Sequence, residues 1–176
     1  VATDCDFRDN HAAAGGAVRA GRAELDGCTV VRNTGREGVV QIRSALTLTR
    51  STLAGNRLLA GGGVIQLGPV NVGEACTLEH TLIAFNDGVP LSDPSEGFDD
   101  LLVRATGLFG NAGGDWVGPL AGMEQTGGNL AADPLFCDLA RGDVSLCADS
   151  PCLPPAAGDQ VIGARDAGCV ACGETP

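Results

Sequence analysis

Glu24 and Asp26 stand two residues apart, the spacing that sets both carboxylates on one face of a β-strand, where they could act as general acid and base. Thr, not further acids, occupies the neighbouring positions, so a solvated face is the preferred reading. Arg19, Gln41 and Gln66 fall on a second outward line that could hydrogen-bond a glycan. Asp93, Glu96, Asp99 and Asp100 crowd one stretch with enough carboxylates to suggest calcium, which takes six to eight oxygens, but without EF-hand spacing. Solvated loop charge accounts for them. His11 and His80 have no second ligand at motif distance, so neither a metal nor a catalytic triad is expected, and no cofactor is. Cys169-x-x-Cys172, with Cys147 and Cys152 upstream, raises zinc; the second Cys-x-x-Cys that zinc motifs use is missing, so disulfides are preferred. The expected pairs are Cys147–Cys152 as a local loop and Cys137 with Cys169 or Cys172. Cys5 and Cys28 either bond or are simply small buried residues.

Composition narrows the functions these residues could serve. Among 176 residues there are 22 acids against 11 basic residues, all Arg, for a net charge of −11. Such a balance speaks against nucleic acid and anionic membrane surfaces as partners, and no apolar run is long enough to span a membrane. The eight Cys point to an oxidising compartment, hence a secreted or cell-surface protein. With 27 Gly and 3% aromatics the chain has little material for a bulky core, yet 44% hydrophobic residues are too many for disorder.

An internal repeat resolves that tension. Asn10, Asn33, Asn56, Asn86 and Asn111 each close one phrase, such as Leu25-x-x-Cys28-x-Val30-x-x-Asn33 and Leu48-x-x-Ser51-x-Leu53-x-x-Asn56. A Gly-led apolar strand follows the first three phrases, as in Gly38-Val39-Val40-Gln41-Ile42. Units this thin cannot bury their own inner faces, so they must stack as coils of a β-solenoid. Leu25, Cys28, Val30, Val40 and Ile42 should point inward in one coil, and Leu48, Ser51, Leu53, Ile65 and Leu67 in the next. The five Asn should form a ladder satisfying corner amides that would otherwise be buried unpaired.

The phrase small-x-apolar-x-x-Asn, followed by Gly-Gly-apolar, resembles the right-handed parallel β-helix repeats of pectate-lyase-like proteins and polymorphic outer-membrane proteins. Gly128-Asn129-Leu130-Ala131-Ala132-Asp133-Pro134-Leu135-Phe136-Cys137 is similar to the ending of many secreted bacterial β-helix proteins. The resemblance implies an all-β, right-handed parallel β-helix. About five coils are expected over residues 1–118, with an irregular, disulfide-stapled segment over 119–176 capping the last coil's edge. Trp116 should pack at that junction. At the other end, Val1, Ala2, Thr3, Asp4 and Cys5 already lie mid-phrase. Upstream coils should precede them, or another copy should cover this edge head-to-tail. The expected role is a non-catalytic extracellular structural subunit of a surface or filament. The alternatives are a polysaccharide lyase or glycoside hydrolase acting through Glu24 and Asp26, and a glycan-binding or adhesion module.

Overall fold

The computed structural model describes residues 1–68, 75–92, 100–157, 159–170 and 172. The chain winds as a parallel β-solenoid. Its first turn holds β1 (Ala2–Thr3), β2 (Asp6–Arg8), β3 (His11–Ala12) and β4 (Val18–Ala20). The second holds β5 (Ala23–Asp26), β6 (Thr29–Val31), β7 (Thr34–Gly35) and β8 (Val40–Ile42), and the third β9 (Leu46–Thr49), β10 (Thr52–Ala54), β11 (Arg57–Leu58) and β12 (Gly63–Leu67). β13 (Cys76–Glu79), β14 (Leu82–Ala84) and β15 (Val89–Ser92) form the fourth, β16 (Leu101–Arg104) and β17 (Gly107–Phe109) the fifth. Equivalent strands pair in parallel up the stack, giving the sheets β1-β5-β9-β13-β16, β17-β14-β10-β6-β2, β11-β7-β3 and β15-β12-β8-β4. The winding amounts to about seven turns, against the five counted from the asparagines. It outlasts the last Asn phrase, since Ala105 N–H donates to Gly127 O (2.8 Å) and Leu108 N–H to Leu130 O (3.0 Å).

Two corners per turn adopt the left-handed conformation, one before the small-residue file and one before the Asn file. Asp4, Gly27, Arg50, His80 and Ala105 occupy the first (φ 45° to 64°), and Asp9, Arg32, Gly55, Phe85 and Gly110 the second (φ 52° to 67°). Only Gly takes this conformation without cost. At Gly27 a Cβ would also collide with the Asp4 carboxylate. Between corners, side chains alternate. Leu25, Leu48 and Leu78 stack inward at 3%, 0% and 0% exposure, and Val30, Leu53, Ile83 and Leu108 are all at 0%. Every inward residue named from the sequence in the second and third coils is buried.

The Asn file is a hydrogen-bonded ladder. Asn33 Oδ1 accepts from Asn10 N–H and Nδ2, Asn56 Oδ1 from Asn33, Asn86 Oδ1 from Asn56 and Asn111 Oδ1 from Asn86, at 2.8–3.2 Å. Asp115 ends it, its Oδ1 accepting from Asn111 N–H (2.9 Å) and Nδ2 (2.7 Å). In the neighbouring file, Ser51, Thr81 and Thr106 hydroxyls donate to Leu25, Leu48 and Leu78 carbonyls of the preceding turn, at 3.3, 3.2 and 3.1 Å.

Residues beyond the last strand pair behave differently from the expected end cap. Only their beginning closes the end: Leu120, fully buried in a short 3-10 turn (Gly118–Leu120), joins the core with Trp116 and Met123 packed beside it. Past Leu130 the chain doubles back along the side of the solenoid. Leu146, Cys152 and Ile162 pack on Leu82 and Ala84, while Val144 packs on Val31 and Ala54 with Phe136 and Leu139 alongside. This lateral strap reaches the first turn, where Arg165 pairs with Asp6 at 2.8 Å. The apolar outer faces of β6, β10 and β14 explain the route, because an end cap would leave them in water.

Within the strap, β18 (Phe136–Asp138), β19 (Asp143–Cys147) and β20 (Ala167–Cys169) form a small sheet. Two disulfides, Cys137–Cys169 and Cys147–Cys172, staple it. The expected Cys147–Cys152 loop does not form, because β19 pairs Cys147 with Cys169 across the sheet while Cys152 is buried against the solenoid. Cys5 and Cys28 remain thiols, with Cys28 Sγ donating to Ala2 O and Asp26 O at 3.4 Å.

Candidate functional site

The outer face of β1-β5-β9-β13-β16 carries the acid pair. Register sets Asp26 in one file with Thr3, Thr49, Glu79 and Arg104, and Glu24 in the next with Thr47, Thr77 and Leu102. Glu24 and Asp26 therefore share a face, and Thr separates them from Glu79. The corner residue Arg50 bends over this face and grips Asp26 with both ends of its guanidinium, Nε to Oδ1 at 2.9 Å and a second nitrogen to Oδ2 at 2.5 Å. The same bond holds the Arg50 guanidinium above its usual range. One turn further, Arg104 takes Glu79 Oε1 at 2.5 Å. Among the described residues Glu24 has no ion-pair partner.

These side chains, with Thr49, His80 and Gln160, line a groove of 360 Å³. Gln160 comes from the strap, so the groove is a seam between solenoid and strap. Gly163 N–H donates to His80 O at 2.9 Å and pins that seam. His80 Nδ1 is buried there without a hydrogen-bond partner among the described residues. Arg50 and Gln160 also line an adjoining cleft of 530 Å³, bounded by Asp4 and Gly27 on one side and Asp159, Arg165 and Asp166 on the other. The arrangement offers alternating donors and acceptors suited to hydroxyl-rich ligands. For acid–base chemistry Asp26 is committed to Arg50, which leaves Glu24 as the free carboxylate.

The other sequence candidates are dispersed. Arg19, Gln41, Gln66 and Ser92 align across β4, β8, β12 and β15, where Ser92 Oγ donates to Gln66 Oε1 at 2.8 Å. His11 lies on β3, in a different sheet from the groove. Asp93, Glu96 and Asp99 lie outside the described residues, and Asp100 is exposed just before β16. Trp116 packs on the core with its indole Nε1 buried and without a partner among the described residues. The partners that sequence reasoning missed are the arginines: Arg32 on Asp9, Arg50 on Asp26 and Arg104 on Glu79, at sequence separations of 23, 24 and 25. Their signal was the repeat period itself.

The exposed edge of the first turn is the second candidate. β1 and β2 end five-stranded sheets, β3 and β4 end the other two, and Val1 is 96% exposed. Ala2, Cys5, Phe7, Val18 and Ala20 point to the core but are only partly buried, unlike their equivalents deeper in the stack. Asn10 Oδ1, the last acceptor of the ladder, receives no donor among the described residues. Asp6 is anchored at this edge by the Thr29 hydroxyl and by Arg165, and the Thr29 bond is the leading cause that lowers its pKa below the usual range. The chain matches no protein-family model, no curated protein and no solved structure.

Proposed function

We propose that the chain is a non-catalytic, extracellular structural solenoid whose assembly runs through its first turn. The observation that carries this reading is the open edge itself: unpaired strands, half-covered Phe7 and Val18, and the unfilled acceptor of Asn10. Such an edge is a template for further strands. The two disulfides support an extracellular setting, and we take residues 1–118 as the stacking body, with 119–176 closing its far end at Leu120 and strapping its side. The opposite end is occupied by Asp115, Trp116, Leu120 and Met123, which disfavours the head-to-tail filament expected from the repeat. The open edge therefore suits either preceding turns of the same protein or the open edge of a second copy, a two-fold contact that closes on itself.

Sedimentation equilibrium of the full chain tests this. A concentration-dependent dimer, lost in Phe7→Asp with the β-rich circular dichroism retained, is the expected result for self-association. Rods under the electron microscope would restore the head-to-tail arrangement. A strict monomer at all concentrations would overturn assembly of copies through the first turn.

A second reading, a polysaccharide lyase or glycoside hydrolase, draws on the unpaired Glu24 and the unpartnered His80 Nδ1 in one groove. Depolymerisation of an acidic polysaccharide, abolished by Glu24→Ala, would replace the structural reading. Glycan binding without turnover, weakened by Gln41→Ala and Gln66→Ala, would favour an adhesion module.

A further inference from the structure

Two disulfides meet at one end of the strap sheet. β18, β19 and β20 supply Cys137, Cys147 and Cys169, and Cys172 is bonded to Cys147. Pairing of β19 with β20 sets Cys147 directly across from Cys169. Their sulfurs belong to different disulfides yet lie 3.4 Å apart. The ligand atoms of Cys137, Cys147 and Cys169 all fall within 4.8 Å of one another. Four sulfurs around a tetrahedral Zn²⁺, each bonded at about 2.3 Å, sit roughly 3.8 Å from one another. The three grouped sulfurs are thus near that spacing, and Cys172, which lies outside the group but is bonded to Cys147, needs only a side-chain rotation after reduction to complete the set.

We propose that these four cysteines form a tetrathiolate zinc site when the chain is reduced, so that the strap has two alternative staples. Each disulfide takes two electrons and two protons from a dithiol reductant, which is itself oxidised to a disulfide, leaving four thiols. Zn²⁺ then displaces four protons as four Zn–S bonds form. An all-sulfur set selects zinc over calcium or magnesium, and four protein ligands leave no open position, which makes the site structural. Sequence spacing concealed it, because zinc motifs are recognised by two short Cys-x-x-Cys clips. Here strand pairing between Cys147 and Cys169 does the work of one clip. Cys76 and Cys152, buried elsewhere in the apolar core and the strap interface, take no part.

The test uses the full chain, reduced with a phosphine in the presence of chelator, freed of both without air, and titrated with Co²⁺ alone and then Zn²⁺ alone. Expected is one equivalent of Co²⁺ per chain with a thiolate charge-transfer band and tetrahedral visible bands, displaced by one equivalent of Zn²⁺. Cys137→Ser and Cys172→Ser lose that equivalent, whereas Cys76→Ser and Cys152→Ser keep it. If reduction loosens the strap, zinc addition restores the oxidised chain's circular dichroism and resistance to proteolysis. Absence of both band and restoration overturns the proposal, as does a band that survives in the Cys137→Ser/Cys147→Ser double variant. Neither result bears on the open edge, which sedimentation tests separately.

Discussion

Asn56 shows how much one side chain of the ladder carries. Its Oδ1 accepts from Asn33 N–H (2.9 Å), and its Nδ2 donates to Val30 O and Asn86 Oδ1, both at 2.8 Å, at 1% exposure. Asn56→Ala strands the Asn33 amide and the Val30 carbonyl in the core, each at about 1–3 kcal/mol, so a loss of roughly 3 kcal/mol is expected. Exposed Asn10 feeds one acceptor at the end of the ladder, and Asn10→Ala should cost less than about 1 kcal/mol. Urea unfolding midpoints compare the two, and equal losses would refute a ladder built on burial. The buried thiols set a different limit. Desolvation pushes Cys76 up to about 12 and Cys152 up to about 11. Unfolding returns both to an ordinary thiol value near 9. A raised folded pKa gives stability that is complete below the unfolded value and is lost as pH climbs toward the folded one. From pH 9 upward each thiol should therefore remove about 1.4 kcal/mol per pH unit, Cys152 saturating near 11 and Cys76 near 12. Unfolding curves across that range should steepen for the native chain and flatten in the Cys76→Ala/Cys152→Ala variant, compared as slopes.

At the scale of elements, the strap and the sheet it covers are one unit. Ile162, 1% exposed, plugs between Leu82 and Cys152, and Ile162→Ala should cost about 2–5 kcal/mol while exposing the strap to protease. Unchanged cleavage of the strap in that variant would mean that the disulfides alone hold it. The ion pairs that bridge successive turns are partly exposed and contribute little, roughly 0–1 kcal/mol each, so they fix register more than stability. The repeat made the stacked turns legible in the sequence, because a period near 23 leaves the same residue type at the same corner: Leu25 over Leu48, Asn33 over Asn56. The acid face was legible for the same reason, since Glu24 and Asp26 alternate within one strand. The strap was not, because residues 130–170 carry no period and their destination was encoded elsewhere. Val31, Ala54 and Ala84 are apolar on faces that alternation assigns to solvent, and that mismatch was the sign that something lies over them. His80 was named from the sequence only to be set aside, and its meeting with Gln160 escaped because it occurs only where the aperiodic strap crosses a corner.

The whole molecule is asymmetric in cover. One end is closed by Leu120, Trp116 and Met123, and the other presents open strands whose Asp6 and Asp9 are paired with Arg8, Arg165 and Arg32, on a chain of net charge −11. Two copies brought together repel through their net charge of −11 each rather than through this mixed rim. Apolar contact through Phe7 and Val18 would oppose that repulsion, and the two differ in their response to salt. Screening extends over about 10 Å at 0.1 M ionic strength and about 30 Å at 0.01 M, whereas apolar burial is little affected in this range. Association of copies through the first turn should thus strengthen as salt rises from about 0.01 M to about 0.1 M. It should strengthen further in Asp9→Asn, which removes one rim charge per copy but also frees Arg32 from its partner. Sedimentation at the two salt concentrations measures both effects. Association that weakens with salt would place the contact on complementary charges, such as the seam of Asp26, Arg50, Glu79 and Arg104, and would overturn apolar contact through Phe7 and Val18.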